Sequence, residues 1–266
     1  LILIFVNFIL INNMIKNYKK KNIVFLLSLI FFSVINIKFT RLSEYGTDIA
    51  GQIILLVIII NFINILINDK KINKIYYNVF LLLTVISFKV YFLIYFILAL
   101  LVLYYLKINP LEKKYFNFKA LTFYFLFLVM FAAHNFINTG CIIYPMDITC
   151  VGEKYFWTLD IGEVKRSNLW LETWAKAGAS PNFRVENLSE YVTGINWVHN
   201  WFNNYFIGKI SDYLLIVIGI NLIIFFSFNK KVNLKKDFSK IQNILIITCV
   251  VALLIWFFKH PSLRYG

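Results

Sequence analysis

Long apolar segments alternate with short, lysine-rich connections along the chain. The apolar segments are 14 to 18 residues long, and they are residues 1–14, 23–37, 53–68, 75–88, 90–106, 120–137, 213–228 and 241–258. A bilayer offers no water to unpaired backbone groups, so segments of this kind predict helices. Several are shorter than the ~20 residues that cross a hydrocarbon core, but flanking lysines can extend to the interface. The pattern predicts an all-α, polytopic transmembrane helix bundle of about eight spans.

The longest apolar region, residues 75–106, contains a single charged residue, Lys89. One helix of this length would extend about 48 Å, which exceeds the thickness of a bilayer. Two helices are expected, because one span would place the four lysines of residues 107–119 opposite the other lysine clusters. Lys89 is then either a lysine whose ammonium group reaches the interface or a cation that lines a cavity for an anionic substrate.

The charges divide the connections into two classes. Connections 15–22, 69–74, 107–119 and 229–240 hold sixteen lysines and three acidic residues, whereas the opposite short connections hold five cations. Cytoplasmic loops carry the excess of Lys and Arg, so the lysine-rich connections are predicted to be cytoplasmic. The net charge of +14 therefore indicates contact with anionic lipid, and no nucleic-acid partner is expected.

Three parts of the chain follow from this topology. Residues 1–137 form six spans, residues 138–212 form an exterior, periplasmic loop, and residues 213–266 form two further spans. The chain begins with Leu1 and stops soon after its last span, so we expect a fragment of a longer protein. We expect a multi-pass protein of the bacterial inner membrane.

The exterior loop is rich in tryptophan. It holds five of the six tryptophans, namely Trp157, Trp170, Trp174, Trp197 and Trp201. Apolar spacing predicts amphipathic helices at 163–177 and 189–206, and Ser189 is the expected N-cap of the second helix. The tryptophans either anchor the loop at the membrane interface or stack on sugars at the mouth of a site. The candidates for sugar or acceptor contact are Trp170, Trp174 and Trp197.

The start of this loop, NTGCIIYPMDITC, holds two cysteines nine positions apart. Gly140 suits a left-handed helix C-terminus, and Tyr144-Pro145 requires an extended or turned backbone. In an oxidising periplasm, a disulfide between Cys141 and Cys150 is expected. A metal site is not expected here, because no third or fourth ligand stands nearby.

Candidate catalytic carboxylates lie in the connection before the third span. Glu44 or Asp48 would remove a proton from an acceptor, and Asp48 is alternatively a ligand for a divalent cation. Cations on the same side of the membrane would bind a phosphate or diphosphate. The candidate cations are Arg41, Lys89, His260 and Arg264. A solvated turn is the simpler alternative for this connection, and no motif indicates a nucleotide or another cofactor.

Four groups of motifs carry a resemblance. They are Glu44-Tyr-Gly-Thr-Asp48, Asn138-Thr-Gly-Cys-Ile-Ile-Tyr-Pro145 with Thr149-Cys150, Trp174-Ala-Lys176, and Pro261-Ser-Leu-Arg264-Tyr-Gly266. On these motifs the chain resembles a family of bacterial multispan membrane proteins that is distantly similar to the GT-C glycosyltransferases. Those enzymes use polyprenyl-phosphate sugars at the periplasmic face of the membrane.

The resemblance implies a glycosyltransferase-like enzyme of cell-envelope glycan or glycolipid assembly. Its partners would be the lipid bilayer, a polyprenyl-phosphate-linked sugar, and a glycan or lipid acceptor. One alternative is a polysaccharide polymerase or O-antigen-ligase-like protein, which also joins many spans to one large exterior loop. A second alternative is a non-catalytic transporter or flippase, which predicts inverted repeats and broken spans.

Overall fold

The computed structural model describes residues 2–19, 22–37, 47–67, 72–108, 117–180, 183–227 and 238–263. These residues are mostly helical, and the predicted all-α fold is confirmed. The α-helices are α1 (Ile2–Asn17), α2 (Ile23–Ile37), α3 (Thr47–Ile67), α4 (Ile72–Phe88), α5 (Phe96–Leu106), α6 (Phe118–Thr139), α7 (Ile161–Ala175), α8 (Leu188–Val192), α9 (Val198–Trp201), α10 (Ser211–Ser227) and α11 (Phe238–Lys259).

Smaller elements join these helices. They are 3₁₀ helices at Val90–Tyr95 and Asp147–Thr149, a π-helical segment at Phe202–Ile210, and an antiparallel hairpin of β1 (Ala179–Ser180) and β2 (Phe183–Arg184). The π-helical segment connects α9 directly to α10, so the chain is helical from Val198 to Ser227.

Four helices are long and apolar enough to cross a membrane. They are Asp48–Ile67, Phe118–Thr139, Val198–Ile223 and Ile241–Lys259. Four shorter apolar helices are Ile2–Asn17, Ile23–Ile37, Asn73–Phe88 and Val90–Leu106. Within the described residues, each predicted span therefore lies in helical structure, and the four long helices indicate a membrane protein. Eight crossings and an exterior loop stay predictions.

Two helix boundaries decide where the candidate catalytic residues lie. The region 75–106 is divided at Lys89, as the sequence predicts, because Lys89 has an extended backbone with φ −159° and ψ 123°. The third helix differs from its prediction, since α3 begins at Thr47 instead of residue 53. Its first turn contains Asp48, and the positive end of the helix dipole favours a carboxylate at this position.

The described residues divide into two compact units. The first unit is Leu1–Phe118 with Ile216–Ala252, and the second is Lys119–Leu215 with Leu253–Gly266. In the first unit, α3 packs against α1, α2, α4 and α5. Its buried side chains lie on all sides of the helix, which is why its sequence is apolar without a polar stripe. The apolar ones are Ile49, Ile53, Leu55, Val57, Ile58, Ile60, Phe62, Ile63 and Ile65.

In the second unit, the prediction of one amphipathic helix over 189–206 is wrong. The chain instead forms the short helix α8 and begins a new helix at Val198. Gly194 has a φ of +56° in the intervening turn, a value that an α-helix cannot contain. The N-cap of α8 is Asn187 and not Ser189, because the Asn187 side chain accepts a hydrogen bond from the Glu190 N–H.

We predict that Gly51→Ala destabilises the protein. A Cβ at Gly51 would lie 2.6 Å from Cε2 of Phe92, which is itself 1% exposed. Overpacking of this kind costs about 1–3 kcal/mol. The matched control is Gly219→Ala in α10, where nothing lies within 4 Å of the added atom, so helix propensity stabilises it by up to ~1 kcal/mol. Thermal unfolding in detergent measures both variants, and equal melting temperatures would contradict the packing of α3 on Phe92.

Candidate functional site

In the first unit, Asp48 and Lys89 form an ion pair. The Lys89 Nζ lies 2.9 Å from Asp48 Oδ1, and the two side chains are 24% and 5% exposed. The sequence places the two residues 41 positions apart, so only the packing of α3 against the end of α4 brings them together. Charges in the apolar part of a membrane protein are costly unless paired, and they usually mark a functional position.

The backbone at Lys89 explains how its side chain reaches α3. Its N–H donates to the Val85 carbonyl at 3.3 Å and completes α4, and its own carbonyl accepts from the Phe92 N–H at 3.0 Å. Lys89 therefore lies between the end of α4 and the start of the 3₁₀ helix Val90–Tyr95. The structure brings together two of the residues that the sequence singled out, one as a base and one as a phosphate-binding cation.

Three of the predicted site residues lie outside the described part of the chain. These are Arg41, Glu44 and Arg264. Their gathering with Asp48, Lys89 and His260 stays a prediction. Within the described residues, no group of three His, Cys, Asp or Glu side chains is placed to hold a metal ion.

In the second unit, Glu172 lies between two lysines. Its Oε1 is 2.7 Å from the Nζ of Lys176, and its Oε2 is 3.8 Å from the Nζ of Lys259. Lys176 is 2% exposed, and its Nζ also donates to the Val192 carbonyl at 3.0 Å. The same ammonium lies 5.0 Å from the centre of the Trp197 ring, within the range of a cation–π contact. The buried charge is thus balanced by a carboxylate, a carbonyl and an aromatic face.

A left-handed turn after α7 fixes the backbone around Lys176. Ala177 has a φ of +64°, and the Gly178 N–H donates back to the Thr173 carbonyl at 2.8 Å, which ends the helix. The Tyr191 hydroxyl donates to the Lys176 carbonyl at 2.8 Å and accepts from Asn200 Nδ2 at 2.7 Å. Burial raises the pKa of Tyr191, although the Asn200 hydrogen bond opposes the shift, so this hydroxyl keeps its proton.

Tryptophans of the second unit differ in their exposure. Trp197 is 0% exposed and contacts Trp201 and Phe257, whereas Trp170 is 45% exposed and Trp174 is half-buried. Burial of this extent favours a packing role for Trp197. Trp170 is two positions before Glu172, which corresponds to about 200° around a helix, so the exposed indole and the carboxylate lie on different faces of α7.

The segment after α11 is held by aromatic side chains. Trp201 Nε1 donates to the Pro261 carbonyl at 2.6 Å, and Trp256 Nε1 donates to the Ser262 carbonyl at 2.9 Å. The Leu263 N–H donates to the Tyr205 hydroxyl at 3.0 Å. His260 is half-buried at the beginning of this segment. The tryptophans therefore fix the backbone that leads to Arg264.

Cys141 and Cys150 form a disulfide in the second unit. Gly140, just before it, has a φ of +76°, and a Cβ there would lie 2.6 Å from Thr158 Cβ, so only glycine fits. The loop is fixed to α7, because Asn168 Nδ2 donates to the Pro145 carbonyl at 2.6 Å. The disulfide thus closes a loop that packs on the helix carrying Glu172.

Sequence reasoning missed Glu172 as a candidate site residue. The available signal was the spacing Glu172-x-x-x-Lys176, which favours an ion pair on one face of a helix. The contact with Lys259 had no such signal, because 87 positions separate the two residues.

These features define an all-α protein with helices that can cross a membrane and with a buried ion pair at the start of one of them. The chain belongs to the family described as a domain of unknown function (DUF8201), whose model matches residues 1–266. A comparison with curated proteins and a comparison with solved structures found no match.

We predict that the double variant Cys141→Ser/Cys150→Ser loosens the loop on α7. Loss of a disulfide that closes a short loop lowers the free energy of unfolding by about 2–4 kcal/mol. Trypsin cleavage after Lys154, which lies four residues beyond Cys150 and before α7, will therefore be faster than in the wild type. Cys249→Ser is the control, because Cys249 is a free cysteine. Equal rates of cleavage in all three proteins would show that the disulfide does not hold this loop.

Proposed function

We propose that this protein is an integral membrane glycosyltransferase-like enzyme of cell-envelope glycan or glycolipid assembly. It uses a polyprenyl-phosphate-linked sugar at the exterior face of the bacterial inner membrane. The chain crosses that membrane eight times, with its lysine-rich connections in the cytoplasm. The acceptor is a glycan or a lipid that presents a hydroxyl group.

The Asp48–Lys89 pair is the observation that carries this proposal. The Asp48 carboxylate is 5% exposed at the start of an apolar helix. Burial of such a charge costs free energy, and packing alone does not require it. Lys89 neutralises it without enclosing it, since 24% of the lysine side chain is exposed. The carboxylate is therefore held in one orientation beside a cation that substrate can reach.

The pair supplies the two groups that sugar transfer needs. The acceptor hydroxyl oxygen attacks the anomeric carbon of the donor, and Asp48 takes the hydroxyl proton. The bond between the anomeric carbon and the phosphate oxygen breaks, and its electron pair leaves with polyprenyl phosphate. Lys89 faces the charge that develops on this phosphate. Arg41, His260 and Arg264 are the further cations that we assign to phosphate binding, and Glu44 is the alternative base.

Glu172 is a weaker candidate for the base. Its two carboxylate oxygens face Lys176 and Lys259, and Lys176 is enclosed by Trp197 and the Val192 carbonyl. A carboxylate held in this way fixes the end of α7 and the segment around Lys259. We therefore assign Glu172 and Lys176 to positioning of the exterior segment, where exposed Trp170 remains the candidate for sugar or acceptor contact.

Exchange of the two charges separates a catalytic from a structural role of the pair. We predict that Asp48→Asn reduces sugar transfer at least ~100-fold, the usual contribution of a general base. The exchange Asp48→Lys/Lys89→Asp restores the ion pair, so it will recover part of the thermal stability and leave transfer abolished; the recovery is partial because the positive end of the α3 dipole disfavours a lysine at position 48. Asp212→Asn is the control, because it removes an exposed carboxylate from another apolar helix. The measurement uses full-length protein in proteoliposomes with radiolabelled polyprenyl-phosphate sugars and cell-envelope acceptors.

Transfer at the wild-type rate in Asp48→Asn would remove Asp48 from the mechanism. A wild-type protein that turns over no lipid-linked monosaccharide, but extends or ligates preformed polymer, would replace the proposal with the polymerase or ligase alternative. A protein that only moves labelled lipid between leaflets would replace it with the flippase alternative.

A further inference from the structure

A cavity in the first unit is lined by α1, α3 and α4, and both α1 and α4 pack against α3. Its volume of about 740 Å³ falls within the roughly 300–1,000 Å³ of ligand sites. On α3, the lining residues Ile54, Val57 and Asn61 share one helix face, because they are three and four positions apart. On α1, the lining residues Phe5 and Phe8 are 66% and 68% exposed. The cavity is therefore open, and a chain from a surrounding bilayer can enter it.

The lining of this cavity carries no charge. Nine of its eleven residues are apolar, and the other two are Asn61 and Tyr77. An ionised ligand would lose its water here without gaining a counter-ion, which costs free energy. The lining therefore favours an uncharged ligand that is mostly hydrocarbon.

The position of the cavity along α3 also favours an uncharged ligand. The candidate span Asp48–Ile67 has 20 residues, and at 1.5 Å per residue it is about as long as the ~30 Å hydrocarbon core is thick. Ile54 lies six residues after Asp48, and Asn61 lies six residues before Ile67, so each is about 9 Å from the nearer end of the span. A neutral polar group is tolerated at this depth, whereas a phosphate or an ammonium group is costly there.

Asn61 presents its amide to the cavity without a partner from its own helix. By contrast, Asn221 Nδ2 in α10 donates to the Val217 carbonyl four residues earlier, at 2.7 Å. Within the described residues, neither the Asn61 amide nor the Tyr77 hydroxyl has a hydrogen-bond partner. The Asn61 side chain keeps accessible surface at its polar atoms, and Tyr77 is 60% exposed. Hydrocarbon offers these groups no partner, so they favour a ligand that carries a polar group of its own.

We propose that this cavity binds a neutral lipid with a free hydroxyl group. Asn61 and Tyr77 also line a smaller neighbouring cavity together, so the two polar side chains lie at the same end of the larger one. The lipid hydroxyl donates to Asn61 Oδ1 and accepts from the Tyr77 hydroxyl, and the chain lies along Ile54 and Val57. A ligand that carries only a carbonyl accepts but does not donate, and it would leave Asn61 Oδ1 unpaired.

This site is separate from the Asp48–Lys89 pair. Asn61 lies 13 residues after Asp48 on α3, which corresponds to about 20 Å. A lipid hydroxyl at Asn61 is therefore not the acceptor of the proposed sugar transfer. The binding site does not depend on that proposal, and a protein without transferase activity would still have it.

Photolabelling of the full chain in proteoliposomes tests this site. The probe is an 18-carbon alcohol with a diazirine in its chain, and we expect its label on the lining residues of α1, α3 and α4. Oleyl alcohol and oleyl methyl ether differ only in the hydroxyl donor. An unpaired buried acceptor costs about tenfold or more in affinity, so the alcohol will displace the probe at a concentration at least ~10-fold lower than the ether does.

Variants of the lining separate the polar contacts from the apolar ones. Asn61→Leu removes the acceptor, so the alcohol and the ether will displace the probe at similar concentrations. Tyr77→Phe removes a donor that either oxygen can use, so it will weaken both ligands and keep the preference for the alcohol. Ile54→Trp fills the cavity and will reduce labelling without changing a polar group.

Two variants are matched controls. Asn221→Leu removes an asparagine that is satisfied within its own helix. Tyr104→Phe removes the hydroxyl of another exposed tyrosine, on α5. Both will keep the wild-type label and the preference for the alcohol, and thermal unfolding of every variant will show that it is folded.

Two natural sources share the proposed chemistry, namely a diacylglycerol and a polyprenol. We expect dioleoylglycerol or a 55-carbon polyprenol to displace the probe, and the stronger competitor identifies the source. Dioleoyl phosphatidic acid has the same acyl chains as dioleoylglycerol and a phosphate in place of the hydroxyl, so it will compete at least ~10-fold more weakly than dioleoylglycerol.

Four outcomes would overturn the proposal. Equal competition by oleyl alcohol and its methyl ether in the wild type would indicate ordinary contact with hydrocarbon. Phosphatidic acid that competes as well as dioleoylglycerol would contradict a neutral site. A preference for the alcohol that survives Asn61→Leu would remove Asn61 from the site. Labels that avoid α1, α3 and α4 would show that protein covers this cavity or that the lipid binds elsewhere.

Discussion

The lack of water inside a bilayer is the constraint on which the apolar helices of this chain depend. Helices satisfy the backbone groups, and many polar side chains return to the carbonyl four residues earlier in their own helix. Ser28 donates to the Val24 carbonyl at 2.7 Å, and Thr248 donates to the Ile244 carbonyl at 2.8 Å. These residues need no partner from another helix. A polar group that cannot be satisfied within its own helix is therefore informative.

Asp48 and Asn78 of the first unit have this property. Asp48 requires a cation from a different helix boundary, and Lys89 supplies it only because α4 ends there. Asn78 satisfies its amide nitrogen within α4 but not its oxygen within the described residues. The two features lie at opposite ends of the α3–α4 pair, since Asp48 is in the first turn of α3 and Asn78 faces its last turns. We propose that the Asp48 end takes part in sugar transfer.

The sequence was sufficient for most of the apolar helices, and it was insufficient for the helices of residues 189–206 and for the contacts between helices. The apolar segments predicted the helices, and Lys89 predicted the division of residues 75–106. Both signals are local in the sequence. The early start of α3 was missed because Thr47, Asp48 and Gln52 are polar, although a helix N-terminus favours an acidic residue. The helix expected over 189–206 failed because apolar spacing does not show the positive φ of Gly194. The pairing of Glu172 with Lys259 depends on chain packing, which no local pattern reports.

The most direct test of this topology is the side of the membrane on which two residues lie. In a Cys249→Ser background, Phe156→Cys places a thiol at a fully exposed position beside the disulfide loop, and Lys235→Cys places one in a lysine-rich connection. We predict that a membrane-impermeant maleimide labels Phe156→Cys in intact spheroplasts and labels Lys235→Cys only after permeabilisation. Labelling of Lys235→Cys from outside, with Phe156→Cys protected, would contradict both the orientation and the exterior site built on it.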